Sequence, residues 1–336
     1  MMKKTLVAMA VLAASGASFA QVTITGDVEW GWASSHNGVT KADSSGFGVD
    51  TNELYIDAVE DLGGGMKIAA HMGLIGLGRN GESAGSSNVQ GENTTLSLTG
   101  GFGKLDLQTT RNGDYLCGMA AESVAPCFDG NVWGARSYRD QVVYTSPELA
   151  AGLKAQFYWG EPNFQTAAAN DGAIGVGQTG NSLQRKTIIS AIYSAGALNA
   201  NAGYISQDNR SGLVNGTSGT TGVRVGANYN LGVATVGAAY ENDSYENGSS
   251  NDFIVNVNVP VSAALTLGVD FAQHKDSGRL NTADGTISGW GVGARYALSK
   301  STAIWAQYKS YDGTVAQQAA GSERNTWTEI AIAKSF

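Results

Sequence analysis

Two cysteines, Cys117 and Cys127, lie with nine residues between them in the most heavily charged loop-like stretch of the chain, Asn112 to Asp140. Arg111, Asp114, Glu122, Asp129, Arg136, Arg139 and Asp140 crowd there with Tyr115, Phe128, Trp133 and Tyr138, whereas most other long loops are rich in Gly, Asn, Ser and Thr. The first chemistry open to the two thiols is a disulfide that staples the stretch into a compact knot. Closing so short a ring contributes about 2 to 3 kcal/mol and stiffens the loop. The alternative is two unpaired, buried thiols, and an oxidising compartment favours pairing. Zinc is not indicated, because His36, His71 and His274 do not combine with the cysteines at zinc-ligand spacing.

Other chemistries find little support. None of the three histidines stands in a nucleophile motif, which argues against a barrel hydrolase with a Ser/His pair. Gly291-Val292-Gly293 lies within a strand pattern with no following helix to hold a phosphate. The Asp- and Asn-rich stretch Asn242 to Asp252 could bind calcium weakly, but solvated loop carboxylates explain it as well. The expectation is no enzyme, no cofactor and no metal.

The elements that position the charged stretch are strands. Val22, Ile24, Gly26, Val28, Trp30 and Trp32 alternate with Thr23, Thr25, Asp27 and Glu29, a period of two sustained over about ten residues. Lipid on one side and water on the other require this pattern in a transmembrane strand of about 9 to 11 residues. A soluble sandwich alternates in shorter runs of about 5 to 6. The pattern recurs around Glu53 to Ala58, Met66 to Met72, Leu96 to Leu98, Leu105 to Gln108, Val142 to Tyr144 and Leu153 to Trp159. It continues through Ile189 to Tyr193, Leu198 to Tyr204, Val223 to Tyr229, Val236 to Tyr240, Phe253 to Val259, Leu265 to Phe271, Trp290 to Leu298, Ile304 to Tyr308 and Thr328 to Phe336. About sixteen strands result, an even number as in bacterial barrels.

Connections alternate between tight turns, such as Asp61 to Gly65, Gly100 to Gly103 and Ser299 to Ser301, and long polar loops. The expected loops are Ala33 to Asp50, Ile75 to Asn93, Glu161 to Leu183, Gln207 to Gly219, Glu241 to Asn251, Lys275 to Gly285 and Asp312 to Asn325. Short connections are expected in the periplasm and long ones outside the cell. Tyr193, Tyr229, Tyr296 and Phe336 are expected in a lower aromatic girdle, and Trp32, Trp159, Tyr204, Tyr240 and Phe271 in an upper one.

Composition fits an exported barrel. Residues 1 to 20 read as a signal peptide: Lys3 and Lys4, an apolar run from Leu6 to Ala14, and the small-residue site Ser18-Phe19-Ala20. Residues 21 to 336 then form the barrel domain, with 19 basic against 29 acidic side chains once Lys3 and Lys4 are removed, a net charge of −10. Nucleic acid is excluded as a partner on that balance. Past the leader, no apolar run approaches the roughly 18 residues of a membrane helix, so membrane residence falls to a closed barrel. A soluble sandwich or solenoid would share the 46 glycines but not the long alternation.

Several stretches resemble the trimeric general porins of Gram-negative bacteria, in their beta-proteobacterial branch. The matching motifs are Val59-Glu60-Asp61-Leu62-Gly63-Gly64-Gly65-Met66-Lys67, Val142 to Pro147 with its Tyr-x-Ser-Pro ending, Gly226 to Gly232, Val292 to Lys300 with its Leu-Ser-Lys turn, and the terminal Phe336. The resemblance implies an all-β, 16-stranded antiparallel transmembrane barrel in the outer membrane. It also implies a homotrimer, a third long loop folded into the lumen, and passive diffusion of ions and small hydrophilic solutes. An adhesin or structural barrel is the rival. The constriction is then expected at Arg111, Asp114, Glu122, Asp129, Arg136 and Arg139 of the loop, with Glu53, Asp57, Lys67 and Lys104 of the wall. Phe336 is expected to serve as the assembly signal, Ile75 to Asn93 to latch a neighbour, and outer-membrane lipid and lipopolysaccharide to surround the barrel. Glu53 and Asp57 stand where such proteins often carry arginine. By alternation, Asp106, Asp252, Asp270 and Glu329 also face the lumen, against Lys154, Lys186, Arg224, Arg295 and Lys309. The balance is near neutral, and Glu53 and Asp57 tilt the expectation towards a weak cation preference.

Overall fold

The computed structural model describes residues 21–76, 90–111, 116–121, 123–133, 138–162, 184–209, 219–278 and 283–336. The expected leader, most of the proposed latch, and the loop segments 163–183 and 210–218 lie outside the described residues.

Sixteen antiparallel strands close into one barrel, each paired with its sequence neighbours and the first with the last. They are β1 (Gln21–Asn37), β2 (Ala42–Gly63), β3 (Met66–Ile75), β4 (Gln90–Gly100), β5 (Gly103–Arg111), β6 (Tyr138–Thr145), β7 (Leu153–Pro162) and β8 (Gln184–Ala195). The second half comprises β9 (Leu198–Asn209), β10 (Gly219–Asn230), β11 (Thr235–Tyr245), β12 (Gly248–Pro260), β13 (Leu265–Ser277), β14 (Gly285–Ser299), β15 (Thr302–Tyr311) and β16 (Asn325–Ser335). Among the described residues two one-turn helices interrupt the strands: α1 (Leu116–Ala120) in the charged loop and α2 (Val315–Ala319) between β15 and β16.

Alternation decides the two faces. Ile24 pairs with Ile56, and Ile56 with Met72, so these side chains share the outer face with Val22, Trp30, Leu96, Leu107, Ile189, Val223, Val269, Ile330 and Ile332, all exposed. Exposed apolar surface on this scale has no place in water and is what lipid requires. Of the aromatics expected in two bands, Tyr229, Tyr296 and Phe336 are exposed towards the short-turn end and Tyr204, Tyr240 and Phe271 towards the other, where Trp290 joins them, while Tyr193, Trp32 and Trp159 are half-buried.

The barrel closes through its last residue. The Phe336 N–H donates to the Gly26 carbonyl at 3.0 Å, and the Gly26 N–H donates to the Phe336 carbonyl at 3.1 Å. A side chain at position 26 would stand 2.7 Å from both the Phe336 ring and the Glu53 carbonyl, so only glycine lets the terminal ring lie there. The β2–β3 turn is set by three consecutive left-handed glycines, Gly63, Gly64 and Gly65, at φ +78°, +62° and +79°, with the Asp61 carboxylate accepting from the Gly63 N–H at 2.8 Å.

Two expected loops are strands. Ala33 to Asp50 is the upper half of a continuous β1–β2 hairpin whose turn occupies only 38–41, and Glu241 to Asn251 pairs almost throughout as β11 and β12. Both stretches are dominated by Ser, Gly, Asn and Asp, and without a sustained apolar face the contrast that reveals a strand in sequence disappears.

Candidate functional site

The loop between β5 and β6 folds into the barrel and lies against the inner wall of β10 to β15. Its apolar side is a small core: Leu116, Cys117, Ala120, Phe128, Val132 and Trp133 pack on Ala239, Ile254, Ala272 and Ile287 of the wall. Phe128 is fully buried and meets Trp133 edge-on, with centroids 6.3 Å apart.

Close approach is possible because six wall positions under the loop are glycine. A Cβ at Gly226 would meet Met119, and one at Gly237 would land on the Ala120 carbonyl. At Gly268 and Gly293 it would strike Ser123 to Ala125, at Gly291 Pro126, and at Gly289 Phe128 and Val132. The loop therefore runs residue by residue along a glycine track that crosses β10, β11, β13 and β14. Hydrogen bonds fix it laterally. The Asn258 side-chain carbonyl accepts from the Val124 N–H at 3.0 Å and the Ser123 hydroxyl at 3.2 Å. The Asn256 side chain donates to the Ala121 carbonyl, and Gln307 to the Val124 carbonyl at 3.1 Å. Ala121 takes a left-handed φ of +90° at the end of α1, a strained conformation for a residue with a Cβ that this docking holds in place.

The disulfide is formed: Cys117 and Cys127 are bridged, with Cα atoms 6.1 Å apart. Beside it, the Lys309 ammonium donates to Asn131 Oδ1 at 2.6 Å and to the Cys127 carbonyl at 3.4 Å, and stands 5.2 Å from the Trp327 ring centroid.

The charged residues named from sequence are not gathered in one place. Asp129 accepts from the Trp133 indole N–H at 2.8 Å, which closes a turn within the loop. Arg139 belongs to β6, buried on the inner face opposite Thr110, and Asp140 pairs with Thr109 on the outer face. Neither is a loop residue, because β6 begins at Tyr138. Asp114, Glu122 and Arg136 lie outside the described residues, as does the side chain of Arg111. Lys67 and Lys104 sit at the short-turn end of β3 and β5, Lys104 bound to Asp106 at 2.9 Å, on strands other than those that carry the loop.

Glu53 and Asp57 do face the lumen from β2, and Asp27 and Glu29 join them from β1, Asp27 directly opposite Glu53. Glu53 accepts from the Tyr55 hydroxyl, and Asp57 is hydrogen-bonded to His71 Nδ1 at 2.8 Å. The sequence placed Asp27 and Glu29 on the polar face of the first strand, and counting that face as lumen would have found them. Further round the wall, Arg224 stands opposite Glu241, and the Arg295 guanidinium lies 5.3 Å from the Trp305 ring centroid. At the long-loop mouth, His274 is held between Asp252 and Asp276, and Arg324 pairs with Asp312 while donating to Ser310 Oγ at 3.0 Å. Among the described residues no cluster of His, Cys, Asp and Glu could hold a metal.

This arrangement fits a water-filled passage narrowed on one side by a docked loop. A family model described as Gram-negative porin matches residues 5–316. A similar curated protein is outer membrane porin protein 32 of Delftia acidovorans, 26% identical over 362 residues and covering all of both chains. Among solved structures, the anion-selective porin from Comamonas acidovorans aligns with TM-score 0.72 at 21% identity, over 95% of this chain and 100% of that one. The trimer form of OmpT from Vibrio cholerae aligns with TM-score 0.67 at 15% identity, over 94% and 99%.

Proposed function

Since this chain belongs to the Gram-negative porin family, an outer-membrane channel for ions and small hydrophilic solutes, we propose that its conductance is limited where the Cys117–Cys127 loop narrows the lumen. The observation that carries this reading is the loop docked across the glycine track of β10 to β14, with Asp27, Glu29, Glu53 and Asp57 lining the lumen further round the ring on β1 and β2. Solutes diffuse without covalent chemistry. Selection comes from size and from the field of a few charges in a narrow passage. In planar bilayers the purified protein is expected to give large stepwise currents, and in liposomes to admit small sugars; silent bilayers and impermeable liposomes would refute the reading.

The weak cation preference expected from Glu53 and Asp57 finds no support among the relatives, one of which is described as anion-selective. The described lumen carries Arg139, Lys186, Arg224, Arg295 and Lys309 as well as carboxylates, so the acidic pair does not set the sign alone.

A homotrimer is the second part of the proposal. It is supported by the trimeric relative and by the outer face of β1 and β2, where Trp30 stacks on Phe47 at 5.6 Å and Phe47 is 74% exposed. Lipid and lipopolysaccharide are the proposed surroundings of the remaining apolar belt. Cross-linking in the outer membrane should yield trimers, and a yield of monomers only would refute this part.

A further inference from the structure

On the short-turn side of the loop, the inner wall holds a cavity of about 210 Å³ between β14 and β2. Its floor is small, Ala303 and Ala333, and its two flanks carry opposite charge. On one flank the Arg295 guanidinium lies against Trp305, with Lys300 of the β14–β15 turn also in the lining; on the other stand Asp27, Glu29 and Glu53. Arg295 on β14 lies three strand steps from Glu29 on β1 and two residues off its row, about 16 Å between backbones, and Ala303 and Ala333, which fill the Glu29 row on β15 and β16, leave the gap open. Among the described residues Arg295, Asp27 and Glu29 have no ion pair, although each faces charges of the other sign across the cavity.

Unpaired charges of both signs around an open gap are what a permeant solute can satisfy. A plain anion would meet three carboxylates, and a plain cation would leave Arg295 unused. A solute with an ammonium at one end and a carboxylate at the other satisfies both flanks, with its middle spanning Trp305 and the alanine floor. The size is limiting. At about 30 Å³ per water the cavity holds some seven waters, well below the volume of a drug-sized ligand site. We propose that this cavity is a subsite for small zwitterions with separated charges, of which a dipeptide is the simplest, its ammonium directed to Asp27, Glu29 and Glu53 and its carboxylate to Arg295. Occupancy is brief, because a site in a conducting pathway must release what it takes.

The subsite rests on the chain being an open channel, and one experiment separates the two claims. Potassium chloride current through the purified protein is recorded with increasing glycylglycine, N-acetyl-glycylglycine or glycylglycinamide. Glycylglycine should reduce the current saturably, and the two capped forms should not. Glu29→Gln and Arg295→Gln should each raise the half-blocking concentration by about threefold, the scale of one exposed ion pair, while Lys154→Gln, a charge of the β7 wall, should not. A wild-type channel that conducts but responds equally to all three peptides, or to none, overturns the subsite and leaves the channel standing. Variants that block like wild type also overturn it. A silent bilayer overturns both claims.

Discussion

The inner wall is built in two unlike halves. From β10 to β14 it has glycine at six positions under the loop, and another segment of the same chain covers it there, packed with Phe128 and Ala120 fully buried. Past β15 and β16 in the ring, β1 and β2 keep long carboxylate side chains on the inner face. One half therefore sets the shape of the passage through packing, and the other sets its field. The two properties obey different physics: packing energy falls steeply with each lost atom, whereas the field of a few half-exposed charges is modest and screened by salt.

The comparison breaks most sharply on the packed half. Phe128→Ala removes the central side chain of the loop core and should cost about 3 to 5 kcal/mol of docking. The barrel ladder is untouched, so the variant should still fold and export, with higher conductance, noisier current and a loop newly open to protease. Gly237→Val should reach the same end from the other side, since a Cβ there lands on the Ala120 carbonyl. Either variant conducting with wild-type amplitude and quiet current would show that the loop does not limit flow. Next in size is the staple. Cys117→Ser with Cys127→Ser should remove about 2 to 3 kcal/mol of constraint, giving added noise on a barrel that melts as before, and two titratable thiols in the oxidised wild type would contradict the bridge.

How much of this was legible in the sequence differs between the halves for physical reasons. Lipid on one face and water on the other write a period of two into every strand, so β1, β5, β7 and the rest could be read directly. Where strands rise into water the contrast ends, and Ser34, Ser35, Ser44 and Ser45 looked like loop though they pair. The loop drew attention through Cys117, Cys127 and its charges. Its docking surface did not, because Gly291 and Gly293 read only as small strand residues and their meaning depends on what crosses them. Arg139 was assigned to the loop since its register is set by its partner Thr110, a relation between segments about thirty residues apart.

On the bare half the effects are smaller. Glu53→Gln with Asp57→Asn removes two lumen charges and should move the reversal potential in a potassium chloride gradient towards chloride. The scale is up to about 1 kcal/mol per charge, that of an ion 4 Å from a carboxylate in water, and the shift should shrink as salt is raised from 0.1 to 1 M, where the screening length falls from about 10 to 3 Å. Arg224→Gln should move it the opposite way. A potential unchanged at low salt in both variants would mean that the field is set elsewhere, in the loop residues Asp114, Glu122 and Arg136.

The smallest effect is expected where the halves meet. Lys309 reaches from β15 to Asn131 and the Cys127 carbonyl while its ammonium lies near Trp327 and Tyr311, so it serves both as a pin for the loop and as a lumen charge. Lys309→Met keeps most of the stem and its packing against the rings but removes the ammonium. The loss is hydrogen bonding from a charged group, about 1.5 to 3 kcal/mol at most, and less here because the lysine also sheds the cost of its partial burial. If the pin matters, current noise should rise towards that of the double-serine variant; if only the charge matters, the reversal potential should shift away from chloride with the current still quiet. Lys309→Arg separates the two, since it restores the charge but presents a planar fork that cannot reproduce a single-point contact to Asn131. A Met variant indistinguishable from wild type in both noise and potential would show that the disulfide and the glycine track hold the loop without it.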